Sequence, residues 1–123
     1  MGAALARFEQ VSPLAHAICR ALADELVKLG FAHGSVPIGD PDSASYRLDR
    51  DPASGLDSLV GEWRDTRGQK QGGLVFHGDG TFFVEHDVIR PHPRDPRWFV
   101  EAVNAWGRGQ DIRAEPRLLP VVS

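Results

Sequence analysis

The residues best suited to chemistry crowd into one stretch. Between positions 77 and 92 stand His77, Asp79, Glu85, His86, Asp87 and His92. Imidazole nitrogens and carboxylate oxygens are the donors of divalent metal sites, and the same groups serve as general acids and bases. Whether they act together depends on the backbone that carries them. Residues 73–77 and 81–89 read as two strands flanking Gly78-Asp79-Gly80. Asp79-Gly80 is the dipeptide of a two-residue type I′ hairpin turn, in which both central residues take positive φ. In that register Gly78 lies opposite Thr81, His77 opposite Phe82 and Phe76 opposite Phe83. His86 then stands four residues beyond the partner of His77, about 13 Å away. Donors of one ion, with bonds near 2 Å, need to lie about 3–4 Å apart. His77 and His86 therefore share no metal. Glu85 and Asp87 share a face, about 7 Å apart at Cα, and would hold a hard cation only with ligands from another element.

Catalytic patterns fare no better. Neighbouring His86 and Asp87 point to opposite faces of a strand, so they form no orienting pair for a nucleophile. No G-x-S-x-G elbow occurs. Gly72-Gly73 and the Gly78/Gly80 pair precede no helix and lack the lysine of a phosphate loop. Nothing in the sequence names a reaction, a metal or a cofactor.

Two binding surfaces remain. In the two-residue register Phe82, Val84 and Val88, with Val75, form the face turned to the core. Phe76 and Phe83 then make an aromatic pair on the opposite face, rimmed by Glu85 and Asp87. An apolar patch with a polar rim reads as a contact surface for a protein partner or a second copy of the chain. The alternative is that the C-terminal residues 118–122 cover it. The second surface lies where Arg90-Pro91-His92-Pro93-Arg94 must leave the strand, since proline donates no ladder bond. Asp95 then caps and Pro96 opens a helix to about Trp106, ended by Gly107 and Gly109. Arg90, His92, Arg94 and Arg97 gather near that helix N-terminus, a favourable place for a small anionic ligand. Asp95 competes for the same position.

The elements that position these groups are legible upstream. Ser12 caps and Pro13 opens a helix whose apolar stripe is Leu14, Ile18, Leu22, Leu26 and Leu29, with Gly30 ending it. Residues 2–10 add a short preceding helix. His16 falls off the stripe and reads as solvated. Cys19, the only cysteine, forms no internal bridge and reads as a small packing residue. Residues 33–58 are loop-rich, with one short strand at about 45–48. Five aspartates there suggest calcium, but a twelve-residue loop from Asp40 has Ala44 at its fifth position, Ser45 at its sixth, Leu48 at its ninth and Asp51 at its twelfth, and so lacks the required oxygens and glycine turn. Residues 59–65 supply a further strand. Residues 110–123 form a tail interrupted by Pro116 and Pro120.

The chain has 123 residues, 41% of them apolar and 25% charged. That is one domain, with enough apolar content for a core without disulfide staples. No run approaches the roughly 18 apolar residues of a membrane span. The net charge is −3, with 17 acidic and 14 basic residues, which argues against nucleic-acid binding. No basic segment precedes an apolar stretch at the N-terminus, so a cytoplasmic location is expected. The reading is a single α+β domain, an antiparallel meander of three to four strands with an N-terminal and a C-terminal helix packed on one face. Its expected function is a protein-interaction or self-associating module, with a small-molecule or anion-binding domain as the alternative.

Overall fold

The computed structural model describes residues 2–122. A single long helix, α1 (Gly2–Leu29), is followed by a 3₁₀ turn at Pro41–Ser43. Six strands complete the chain: β1 (Ser45–Arg50), β2 (Asp57–Arg64), β3 (Lys70–Phe76), β4 (Thr81–Pro91), β5 (Trp98–Arg108) and β6 (Asp111–Pro120). They form one antiparallel sheet in sequence order. This corrects the expected architecture in three respects. Among the described residues the sheet has six strands instead of three or four, residues 98–108 form a strand where a C-terminal helix was expected, and one α-helix covers the sheet.

Helix α1 buries Ala15, Ile18, Leu22 and Leu26, the three- and four-residue spacing of a single helical face. It runs through Pro13 instead of starting there. An interior proline costs about 3 kcal/mol by removing one backbone bond. The preceding turns recover it by packing: Ala4, Phe8 and Val11 lie against the core, and the Phe8 ring sits 4.5 Å from Tyr46 of β1. Both edge strands, β1 and β6, touch α1, as do β2 and β5. The sheet therefore curls around the helix. Leu59, Leu74, Phe76, Phe82, Val84, Val100 and Val103 point inward and complete the core. Among the described residues no helix is long and apolar enough to cross a membrane.

The β3–β4 hairpin differs from its expected register by one residue. His77 N donates to Thr81 O and Gly80 N donates to His77 O. Gly80 has φ +92, whereas Asp79 does not take positive φ. A type I′ turn is thereby excluded. The loop is three residues long, Gly78, Asp79 and Gly80, with Gly80 as the left-handed closing residue. Phe76 now pairs with Phe82 and Val75 with Phe83. Phe76, 2% exposed, thus belongs to the core, while Val75, expected in the core, takes the outer position expected for Phe76.

The segment expected to be a second helix is β5. Its spacing misleads because the sheet bulges there. Val88 and Ile89 of β4 oppose the single Glu101 of β5, which is itself an extra residue relative to β6. The phase shift buries Val100, Ala102, Val103 and Ala105, and the three-residue step from Val100 to Val103 imitates a helical stripe. Ile89 carries the bulge at φ +51, a costly conformation for a β-branched residue, and is 63% exposed. The tail is the edge strand β6. Pro116 and Pro120 are tolerated because an edge strand leaves one row of backbone groups unpaired.

Candidate functional site

The face of the sheet turned away from α1 is uncovered. Strand alternation and register place Arg47, Val60, Val75, Phe83, Trp106 and Arg113 in one row across all six strands. The four central members are apolar and sit on adjacent strands, with an arginine at each end. A parallel row, two residues along, reads Ser45, Glu62, Gly73, Glu85, Asn104 and Glu115. Phe83 is 41% exposed, and Val60, Val75 and Trp106 are half-buried by one another. The total accessible surface is 7531 Å², against roughly 6,500 Å² expected for a compact monomer of this mass.

A depression of about 270 Å³ opens beside Phe83, where Gly72 and Gly73 contribute no side chain. Phe83, Glu85 and Asp87 line it together with Lys70 and Val75. Three of the four residues expected on the contact face are therefore brought together; Phe76 is not. Arg117 donates to both Glu85 and Glu101, at 2.8 and 2.9 Å. The Asp87 carboxylate has no ion pair among the described residues. Val60 and Trp106 were not assigned to this face from the sequence, because Trp106 had been placed on a helix. Strand alternation over 103–106 is the signal that finds it.

The arginines of 90–97 do not converge. Arg90 donates to Ser35 O, and the Arg94 side chain lies over Gly30 at the C-terminal end of α1. Arg97 makes a two-pronged contact with Asp95 and holds its carboxyl down at about 2. His92 Nδ1 accepts from the backbone of Arg94 and Asp95. The helix N-terminus that was to attract an anion is absent. His77 is also set apart, with Nδ1 3.1 Å from Ser58 Oγ.

A second cluster seats the loop before β1. His86 is 6% exposed. Its Nε2 accepts from Gly39 N at 3.0 Å and its Nδ1 donates to Asp87 O at 2.9 Å, so both nitrogens are committed. Trp63 stands 5.2 Å from the His86 ring and donates from Nε1 to Asp40 O at 2.8 Å. Tyr46 donates to Pro41 O at 2.7 Å. His86 thus positions backbone and offers no free nitrogen for proton transfer. No known family, characterised protein or solved structure matches this chain. The site must therefore be judged on its own geometry, and the uncovered row is its largest unexplained feature.

Cys19 lies near this cluster. Burial pushes its thiol up to about 12, and the Asp40 carboxylate adds to the shift. The reactive thiolate is thereby suppressed. At pH 8 iodoacetamide should modify native Cys19 on the order of a thousandfold more slowly than the urea-unfolded chain, from the rise between 9.0 and about 12. Mass spectrometry of timed samples measures this, and comparable rates would contradict a buried thiol. The folded thiol holds its proton more tightly than the unfolded one. Its stabilising contribution is therefore present below about pH 9 and is lost as pH rises toward 12.

Proposed function

We propose that the protein is an interaction module that binds a protein partner through the uncovered face of its sheet. The observation that carries this reading is the four-strand apolar row Val60, Val75, Phe83 and Trp106. A monomeric domain ordinarily keeps such side chains apart or under another element. Two aromatic residues near the centre of the patch suit an interface anchor. Glu85 and Asp87 beside the row favour a partner that presents a lysine or arginine next to its apolar residue.

Photo-crosslinking tests this directly. A photoreactive amino acid at Val75 should give covalent protein adducts in cells, and the same probe at exposed Val27 of α1 should give none. Phe83→Asp, introduced with the Val75 probe, should abolish the adducts while lowering stability by less than about 1 kcal/mol, since Phe83 is 41% exposed. Equal adducts at Val75 and Val27 would remove the basis for the proposal. Sedimentation of the purified chain shows whether the captured partner is a second copy.

A further inference from the structure

His16 and two aspartates meet at the junction of α1 with the loop before β1. His16 Nε2 lies 3.0 Å from Asp42 Oδ1. One donor atom from each of His16, Asp40 and Asp42 lies within 4.8 Å of the others. The helix supplies the nitrogen and a loop more than twenty residues later supplies the oxygens. Tests of Asp40 as the start of a linear calcium loop could not reveal this set, because its third member comes from another element.

From this geometry we infer that His16, Asp40 and Asp42 form a binding site for a first-row divalent cation of the zinc type. An imidazole with two carboxylates suits zinc, cobalt or manganese, whereas calcium prefers six to eight oxygens. Three protein ligands leave at least one position for water. The loop is held by groups outside the set: Trp63 Nε1 donates to Asp40 O, His86 Nε2 accepts from Gly39 N, and Tyr46 donates to Pro41 O. Those bonds come from the sheet, so Asp40 and Asp42 are presented to α1 by the core. Asp40 Oδ1 accepts from Asp42 N at 2.9 Å, which fixes the orientation of the carboxylate. A depression of about 280 Å³ beside the set is lined by His16, Cys19, Arg20, Ile38 and Asp40. Cys19 stands one helical turn beyond His16.

Isothermal titration of the full chain with zinc chloride tests the site. One equivalent should bind, and His16→Ala and Asp42→Asn should each weaken binding at least tenfold. Both side chains are at the surface, so both variants should keep the wild-type melting temperature without metal. Asp111→Asn, at the distant β5–β6 turn, should bind as wild type. Zinc should raise the melting temperature of wild type by several degrees and leave that of His16→Ala unchanged. Imidazole ¹⁵N spectra should show His16 Nε2 shifting and His77 unmoved. Absence of saturable binding, or undiminished binding in His16→Ala, overturns the assignment.

Discussion

Leu22→Ala should lower the stability of the protein by about 2–5 kcal/mol, the range for emptying a fully buried leucine site. The melting temperature should fall on the order of 10 °C. Leu22 has no exposed surface and lies between Ile18 and Leu26 on the buried stripe of α1. Its surroundings cannot close easily over the lost volume. The sheet that receives the stripe is cross-linked by five antiparallel ladders and touches α1 from β1 round to β6. Moving one wall of the cavity inward would disturb its neighbours in the same ladder. Val27→Ala on the same helix, where the side chain is 41% exposed, should change stability by no more than about 0.5 kcal/mol. Urea unfolding of the two variants measures the contrast. Equal, small losses would mean that α1 is not the second half of the core. The test also bears on the interaction face. With α1 filling the concave side of the sheet, no other element among the described residues covers the convex side.

What could be read in advance follows from how local each signal is. The stripe from Leu14 to Leu29 is a property of one helix, and the structure places its members as spaced. The start of that helix was misread because Pro13 is a valid opening residue, and the packing of Phe8 on Tyr46 is a tertiary fact. The hairpin was visible in Gly78-Asp79-Gly80, but its register was not. A two-residue loop and a three-residue loop both want glycine at position 80, and they differ by the one residue that exchanges Phe76 and Val75 between faces. Strand β5 was read as a helix because a bulge inserts a residue and breaks the period of two. On the outer face, Phe83, Glu85 and Asp87 could be placed together from the sequence because they alternate on the regular part of one strand. Trp106 was lost with β5. The His16 and Asp42 contact was out of reach, since no local pattern links a helix surface to a loop 26 residues later.

Trp63→Ala should cost about 3–5 kcal/mol and should release the loop at 36–43. Trp63 is 5% exposed and supports that loop in two ways. Its ring packs so closely beneath Gly39 that a Cβ added there would lie 2.5 Å from Nε1. Its Nε1–H also donates to Asp40 O. Trp63→Phe separates the two contributions. It keeps much of the ring and removes the donor, while Asp40 O still accepts from Ser43. That variant should lose about 1 kcal/mol from the hydrogen bond, with a further share for the smaller ring. Amide exchange at Gly39 reads the loop itself, because that N–H is held by His86 Nε2. It should stay protected in Trp63→Phe and exchange rapidly in Trp63→Ala. Protection in both variants would mean that His86 alone seats the loop. The comparison also reaches the cation site, since Asp40 and Asp42 ride on this segment. Trp63→Ala should weaken zinc binding by releasing the backbone that carries Asp40 and Asp42, together with a large loss of stability. His16→Ala should weaken it at unchanged stability. Those opposite pairings distinguish a residue that positions the site from one that binds the ion.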